Sequence, residues 1–305
     1  MKLSSRAEQI QPSVTLAITA KAKQMKAQGI DVIGFGAGEP DFPTPEHIVD
    51  SAVEAMRSGD TRYTAVGGTP ELRAAVAQGL QRDYGLTYDA SEITVSCGAK
   101  HTLFNLFMAL VEEGDEVVIP APYWVSYPEQ VQVAGGTPVY AHATEADGFL
   151  MSPEALEAAL TPRTKALVLN SPSNPTGAMY SAEQLRGLAE VLESRDVVVV
   201  SDDIYHKLTY DGARFASILH VAPALRDRVV IVNGVSKSYA MTGWRIGYAA
   251  GPKQLITAME DIQSQSTSNP TSFAQKGAVT AILGPQECVD TMVTAFWERA
   301  KFLVG

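Results

Sequence analysis

The sequence predicts an α/β protein built on a mostly parallel sheet with helices on both faces. Five short apolar runs have the composition of strands that are covered on both sides, and helix-like segments alternate with them. Parallel neighbours need crossover segments, so this alternation favours a parallel sheet over a series of hairpins. The five runs, in chain order, are ITVSC, EVVIPA, KALVLN, DVVVVSD and RVVIVNG.

Three segments carry the start and stop signals of helices. TPEHIVDSAVEAMRSG has Thr44 as its expected N-cap and Gly59 as its stop, and TPELRAAVAQGLQRDYG repeats the same signals. SAEQLRGLAEVLESR begins with Ser181 and Gln184, which form a capping-box pattern. This third segment lies between the runs KALVLN and DVVVVSD, as a crossover helix does.

Length and composition limit the class of protein. The chain has 305 residues, 46% hydrophobic and 19% charged, which suits a globular protein with a large core. Its formal net charge of -10 argues against a nucleic-acid groove, because no excess of cations is left to neutralise phosphates. Cys97 and Cys288 are too few for a disulfide framework, and we find no apolar run typical of a signal peptide or membrane span. We therefore expect a soluble, cytoplasmic protein.

Polar side chains follow the predicted strands at their carboxyl ends, where open parallel sheets bind ligands. Asn170 is followed by SPSNPTG, the next strand ends at Asp202 with Tyr205 close behind, and the last strand leads to Lys237. An amide, a carboxylate with a phenol, and an amine are thus expected at one edge of the sheet.

The same edge is expected to receive an anion site. In SCGAKHTLF, Gly98 and Ala99 open a helix directly after a strand, and the free N–H groups of a helix N-terminus favour a phosphate. Ser236 and Arg245 could supply further donors to that phosphate. Pyridoxal phosphate has an aldehyde for the amine, a ring nitrogen for the carboxylate, a phenolic oxygen for the amide and phenol, and a phosphate for the anion site, so it matches all of these groups together.

Each of these residues also has an ordinary structural explanation. A lysine such as Lys237 is commonly a solvated loop residue, Asp202 could cap the segment after it, and Asn174 suits a turn. CGAK is equally a plain strand-to-helix turn, and Tyr123 and Trp124 would ordinarily be core. A carboxylate and an amine at successive strand ends are much harder to obtain by chance.

A family resemblance adds to this interpretation. GVSKSYAMTGWRIG resembles the pyridoxal-phosphate attachment signature of the class I/II aminotransferases. GAGEPDFPTPEHI, RYTAVGGTPELR, APYWVSYPE, NSPSNPTG and SDDIY resemble the other blocks of that family, in its order. The resemblance is strongest to the bacterial aspartate- and prephenate-using branch, and it extends from about Arg6 to the end.

The resemblance implies a role for each residue at the strand ends. Lys237 would attach to the cofactor's aldehyde and later move a proton, and Asp202 would pair with the ring nitrogen. Tyr205 and Asn174 would bond the phenolic oxygen, and Trp124 would stack on the ring. Covalent attachment removes the charge of a lysine, which explains why this apolar segment carries one.

The resemblance also implies which residues contact the cofactor phosphate and the substrate carboxylate. Tyr63 would reach the phosphate of a neighbouring subunit, so a homodimer with shared sites is expected. The substrate carboxylate would be lined by Gly38, Trp124 and Asn174. The phosphate would be surrounded by Gly98, Ala99, Lys100, Ser236 and Arg245.

The activity implied is transfer of an amino group between an amino acid, aspartate or a similar one, and a 2-oxo acid such as 2-oxoglutarate. Aspartate-type members carry a basic residue before a Pro-Ser pair, and Gln11 stands there in this chain, so the preferred amino acid is left open. A pyridoxal-phosphate lyase of the same fold and a non-catalytic binding domain are the alternatives. No metal is expected.

The domain division expected from the resemblance has three parts. Residues 1–44 would form an N-terminal arm and part of the small domain, 45–290 the large cofactor domain, and 291–305 the start of a truncated small domain. The family's small-domain arginine for the substrate α-carboxylate would lie beyond Gly305. We therefore expect these 305 residues to hold the cofactor and to turn over little.

Two local expectations complete the sequence prediction. Side chains alternate along a strand, so Asp202 and not Asp203 should face the cofactor ring. Asn174–Pro175 is a candidate cis peptide, because a cis bond before proline is only about 0.5–1 kcal/mol less stable than trans.

Overall fold

A seven-stranded sheet forms the centre of the part of the chain that the structure, a computed structural model, describes. The described residues are 1–4, 7–8, 10–11, 14–34, 36 and 38–304. Arg6, Pro12, Ser13 and Gly305, which enter the sequence predictions, lie outside them. The strands are β1 (Ile93–Ser96), β2 (Glu116–Ala121), β3 (Thr137–His142), β4 (Thr164–Asn170), β5 (Val198–Asp202), β6 (Val229–Gly234) and β7 (Gly247–Ala250).

The prediction of a mostly parallel sheet is confirmed. The strand order is β1-β7-β6-β5-β4-β2-β3, and the pairs from β6 through β5, β4 and β2 to β3 are all parallel. β7 runs antiparallel to both β1 and β6. The five predicted strands are present. β3 and β7 escaped prediction because TPVYAH carries a proline on an edge strand and GYAA is short and poor in β-branched residues.

Helices cover both faces of the sheet. Two cores result because side chains alternate along each strand: Leu167 and Leu169 of β4 face one core, and Ala166 and Val168 face the other. No helix within the described residues is long and apolar enough to cross a membrane. The α-helices of those residues are α1 (Val14–Ala27), α2 (Glu46–Arg57), α3 (Pro70–Tyr84), α4 (Ala99–Leu110), α5 (Ser126–Ala134), α6 (Pro153–Ala159), α7 (Ala182–Glu193), α8 (Ile218–Val221), α9 (Lys253–Ser264), α10 (Ser272–Leu283) and α11 (Glu287–Val304).

The capping signals of α3 and α7 are confirmed. Thr69 accepts a hydrogen bond from the N–H of Leu72 at the start of α3, and Gly85 ends that helix in the left-handed conformation. Ser181 and Gln184 exchange side-chain-to-backbone hydrogen bonds of 2.8 and 3.2 Å in a complete capping box. Local sequence therefore determines where these two helices begin.

The predicted N-cap of α2 is wrong. Pro45 occupies that position, and no side chain caps the helix. The Thr44 hydroxyl instead donates to the carbonyl of Ala240, at 2.8 Å, and accepts from the indole nitrogen of Trp244, at 2.9 Å. Thr44 thus ties the start of α2 to the segment after Lys237, a long-range contact that competes with the local cap.

Candidate active site

A cavity of about 760 Å³ lies at the carboxyl ends of β4 and β5 and beside the segment after β6. It brings together all but two of the predicted site residues. The two that do not line it are Tyr63 and Gly98, and Gly98 lies against the guanidinium of Arg245, which does line the cavity. The predicted residues that line it are Gly38, Ala99, Lys100, Trp124, Asn174, Asp202, Tyr205, Ser236, Lys237 and Arg245.

Asp202 is the buried acid of the cavity, with 3% of its surface exposed. One carboxylate oxygen accepts a 2.6 Å hydrogen bond from the Tyr127 hydroxyl, and the amide of Asn170 donates to the Asp202 carbonyl at 2.8 Å. Burial raises the pKa of Asp202 to about 6, against the hydrogen bonds from Tyr127 and the N–H of Ile204 that lower it. A nearby positive charge would favour the ionised form of this carboxyl.

The two aspartates at the end of β5 differ in their access to the cavity. Asp202 lines the cavity, whereas Asp203 accepts a hydrogen bond of 2.7 Å from Ser201 and is absent from the cavity wall. Alternation of side chains at the end of β5 separates the two carboxyl groups, as expected for a strand.

Lys237 projects its amine into the same cavity. Its Nζ donates to the carbonyl of Gly38, and the side chain forms no ion pair among the described residues. Burial lowers the pKa of Lys237, Glu39 opposes that shift, and the charge of Arg245 adds to it. A larger share of the amine is therefore neutral and nucleophilic than in a solvated lysine.

Tyr205 and Asn174 stand together at the cavity wall. The N–H of Asn174 donates to the side-chain oxygen of Asn170 at 2.8 Å, which fixes the loop after β4. Burial and, to a smaller extent, the charge of Asp202 raise the pKa of Tyr205 to about 12, against the side chain of Asn174, which lowers it. The predicted cis bond between Asn174 and Pro175 is confirmed.

Gly98 and Arg245 form a cradle at the N-terminus of α4. Gly98 has φ +92°, and a Cβ there would overlap the guanidinium of Arg245. That guanidinium donates to the carbonyls of Thr242, at 2.9 Å, and Cys97, at 3.4 Å. The backbone N–H of Ala99, in the first turn, has no acceptor within the helix, so a cation and a helix N-terminus meet at one point.

Lys100 lies over the ring of Trp124, with its Nζ 4.9 Å from the ring centroid. Burial lowers the pKa of Lys100, and the charge of Arg245 lowers it further. Trp124 itself packs edge-on against Tyr127, at 5.2 Å between ring centroids. The cavity therefore holds a third cation besides Lys237 and Arg245.

Tyr127 is the site residue that the sequence prediction missed. It is 2% exposed and contacts the carboxylate of Asp202, although it lies in the first turn of α5. The block APYWVSYPE contains it, but a tyrosine before a proline gives no local sign of a partner on β5. The contact follows from the packing of α5 on the sheet.

Tyr63 and Gln11 lie outside the cavity wall. Tyr63 is 90% exposed, which is compatible with contact to another molecule. Gln11 is exposed, and its N–H donates to the carboxylate of Glu129 at 3.2 Å. Pro12 and Ser13, the pair that follows Gln11, are not among the residues that the structure describes.

Known proteins match this chain over nearly all of its length. The family model "Aminotransferase class I and II" matches residues 30–305. The aspartate aminotransferase of Geobacillus stearothermophilus is 56% identical over 99% of this chain and 77% of the relative. The aspartate/prephenate aminotransferase of Nitrosomonas europaea is 53% identical over 100% of this chain and 77% of the relative.

Solved structures agree with the sequence matches. An aspartate aminotransferase from Rhizobium meliloti has a TM-score of 0.96 and 48% identity, covering 100% of this chain and 76% of that one. An aspartate aminotransferase from Thermus thermophilus, solved with maleate, has a TM-score of 0.92 and 46% identity, covering 98% and 77%. This chain belongs to the class I and II aminotransferase family, and it is an aminotransferase that acts between amino acids and 2-oxo acids.

Proposed function

We propose that this chain binds pyridoxal 5′-phosphate at Lys237 and transfers an amino group between aspartate and a 2-oxo acid such as 2-oxoglutarate. The observation that carries the proposal is the grouping of Lys237, Asp202 and Arg245 around one cavity. An amine, a buried carboxylate and a cation at a helix N-terminus match the aldehyde, the protonated ring nitrogen and the phosphate of that cofactor.

The phosphate position is supported by space as well as charge. Gly98 leaves the room that a side chain would fill, and Arg245 stands across from it. Ser236, buried beside Lys237, and the first-turn N–H groups of Ala99 and Lys100 would complete the donor set. The residues present therefore fit a phosphate at this end of the cavity.

When bound, the cofactor supplies an electron sink for the charge left on the substrate Cα when its proton departs. Lys237 would hold the cofactor through its amine and, once displaced by the incoming amino group, accept and return that proton. Asp202 would keep the ring nitrogen protonated through its negative charge. Tyr205 and Asn174 would donate hydrogen bonds to the phenolic oxygen, and Trp124 would cover one face of the ring.

A single-turnover experiment tests the function. The protein loaded with pyridoxal phosphate is mixed with aspartate, and we expect one equivalent of oxaloacetate per bound cofactor, without ammonia. Release of ammonia and pyruvate from cysteine or a similar amino acid would instead favour the lyase alternative. The names of the similar enzymes favour transfer, and a panel of amino acids tested in the same way ranks the substrates.

Preference for a dicarboxylic amino acid is supported by Lys100. Lys237 and Arg245 have partners in the proposed complex, so among the described residues that line the cavity Lys100, held over Trp124, is the cation left to meet a second carboxylate. The Thermus thermophilus enzyme was solved with maleate, a dicarboxylate. Gln11 is uncharged, and Lys100 would supply the charge that Gln11 cannot.

Replacing Lys100 with methionine is expected to lower kcat/KM for aspartate by roughly 10- to 100-fold, the range of one lost charge-assisted hydrogen bond. The value for alanine, which has no second carboxylate, should change by less than about threefold. Lys276→Met, which removes an exposed charge from α10, is the matched control. An equal loss for aspartate and alanine, together with weaker cofactor binding, would assign Lys100 to the phosphate alone.

Replacing Gly98 with alanine is expected to weaken binding of pyridoxal phosphate by at least about tenfold. The new Cβ would displace the Arg245 guanidinium and would sit at a φ of +92°. Gly85→Ala has the same kind of strain at φ +66° with no neighbour within 4 Å, so it should change stability and leave cofactor affinity unaltered. Equilibrium titration of the cofactor measures both variants, and equal affinities in the two would place the phosphate elsewhere.

The proposal also covers the assembly, the domain division and the location of this chain. A homodimer is supported by Tyr63, an aromatic side chain that is 90% exposed. The division at residues 1–44, 45–290 and 291–305 rests on the family resemblance, and α11 spans the second boundary. A cytoplasmic location is supported by the free thiols of Cys97 and Cys288.

A further inference from the structure

Asp203 is a buried carboxyl group for which the proposed chemistry has no use. It is 1% exposed, and its backbone N–H donates to the carbonyl of Val232 on β6 at 2.9 Å. One carboxyl oxygen accepts the hydrogen bond from Ser201. The other, Oδ2, is buried and has no hydrogen-bond partner among the described residues. A carboxylate normally fills both oxygens with donors, so this one lacks the solvation that a negative charge requires.

No positive charge in the described part of the chain compensates Asp203. Among the described residues, no lysine, arginine or histidine forms an ion pair with its side chain. The ring of His206 lies 3.2 Å from the Asp203 carbonyl, and burial lowers the pKa of that histidine, which keeps it neutral. The other titratable groups that act on Asp203 or feel it are Asp202, Tyr84 on α3, Tyr88 before β1, Tyr127 on α5 and Tyr248 on β7.

These neighbours are phenols and one carboxylate, so they favour a neutral Asp203. Burial is the largest effect and raises the pKa of Asp203 well above the ordinary range; the hydrogen bond from Ser201 lowers it, the charge of Asp202 raises it, and Tyr84 lowers it by less. Tyr84 already accepts a hydrogen bond of 3.0 Å from the amide of Asn233. Burial also raises the pKa of Tyr84 well above its ordinary value, so the phenol keeps its own proton, and its oxygen can accept a further hydrogen bond from a protonated carboxyl group of Asp203.

Asp83 on α3 also contacts His206, but unlike Asp203 it has positively charged neighbours. It lies 2.8 Å from the ammonium of Lys207 and 2.7 Å from the guanidinium of Arg82, with the His206 ring at 3.5 Å. Burial alone would raise its pKa, but the hydrogen bonds from these three side chains lower it below the ordinary value. Two aspartates joined through His206 are thus built for different charge states.

We propose that Asp203 is a positioning residue that stays protonated, so that Asp202 carries the negative charge at the end of β5. Its role for the cofactor rests on the proposed function of Asp202, whereas its protonation is a property of the protein alone. A second ionised carboxyl next to Asp202 would push the pKa of Asp202 upward and weaken its pairing with a ring nitrogen. A neutral Asp203 removes that competition and still holds the strand end through hydrogen bonds.

Asp203→Asn tests the charge state without the cofactor. Asparagine cannot ionise and copies the donor and acceptor of a protonated carboxyl. Because the pKa of Asp203 is raised in the folded protein, the wild type keeps its full stability below the unfolded-state pKa, near 3.9. It loses stability as pH rises from there toward the folded-state pKa. The asparagine variant avoids that loss. Relative to wild type, its unfolding equilibrium constant should therefore fall by up to about tenfold per pH unit above roughly pH 4.

Asp83→Asn is the matched control, with the sign reversed. A lowered folded-state pKa contributes stability above the unfolded pKa that is lost as pH falls, so this variant should become relatively less stable as pH rises from about 3 to 5. Urea denaturation of the three proteins between pH 3 and 7.5 measures both slopes. If the stability of Asp203→Asn falls relative to wild type as pH rises, Asp203 is ionised in the folded protein and the proposal is wrong.

A spectroscopic measurement keeps the proposal testable if the asparagine variant folds poorly. Infrared spectra of the wild-type protein in heavy water at neutral pH should contain the C=O band of a buried protonated carboxyl group. Selective 13C labelling of aspartate should shift that band, and Asp203→Glu should move it while Asp83→Asn leaves it in place. Absence of the band at pH 7 would overturn the proposal, whatever the cofactor experiments show.

Discussion

Lys237→Ala is expected to abolish the covalent link between protein and pyridoxal phosphate and to remove nearly all transfer activity. Loss of a proton-transferring side chain alone slows such steps by about 10²- to 10⁴-fold. Alanine also removes the amine that holds and releases the cofactor. The combined loss should therefore exceed roughly 10³-fold, while the Gly98 and Arg245 cradle still binds the phosphate.

Borohydride reduction followed by peptide mass analysis measures the link directly. In the wild-type protein, the reduced adduct should map to the peptide that contains Lys237. Lys100→Ala is the control, because Lys100 lies in the same cavity and has a pKa that burial also lowers. It should keep the adduct on Lys237. An adduct on Lys100 in the wild-type protein would show that Lys237 is not the residue that attaches the cofactor.

The position of Lys237 could be predicted because strand order follows from simple rules. β6, β5 and β4 are neighbours in the sheet, and each was recognisable as a buried apolar run. Their carboxyl ends deliver Asn170, Asp202 and the segment of Lys237 to one edge. Helix-capping signals such as Thr69 were equally readable, because the partners of a cap lie within three residues.

The contacts that the sequence could not predict are between residues distant in the chain. Tyr127 bonds Asp202, 75 residues away, and Thr44 bonds Ala240, 196 residues away. Neither partner is visible in a local window, and the threonine signal pointed to a helix cap that the long-range bond displaced. The roles of the site residues toward cofactor and substrate stay predictions.

Asp202→Asn is expected to slow removal of the substrate Cα proton by orders of magnitude while the cofactor remains bound. Asparagine keeps the shape and can still accept the hydrogen bond from Tyr127, but it brings no negative charge to the ring nitrogen. Without that charge the nitrogen loses its proton more easily, and the ring becomes a weaker electron sink. Lys237 and the phosphate cradle are untouched by the change.

The affinity of the wild-type protein for pyridoxal phosphate should depend on pH through the ionisation of Asp202. Burial raises the pKa of Asp202 to about 6 in the protein alone, so the carboxyl takes up a proton as pH falls through that value. Affinity for pyridoxal phosphate should therefore rise as pH increases through about 6 in the wild-type protein. This step should be absent in Asp202→Asn, because its side chain does not titrate.

Asp203→Asn separates charge at the ring from damage to the strand end. Both substitutions change one oxygen to nitrogen at adjacent buried positions, yet only Asp202 lines the cavity. Stopped-flow measurement of the half-reaction with aspartate labelled with deuterium at Cα reports proton removal in each variant. We expect the rate to fall by orders of magnitude in Asp202→Asn and by less than about threefold in Asp203→Asn. The reverse order would mean that Asp203 faces the ring and that the direction of the side chains at the end of β5 is misassigned.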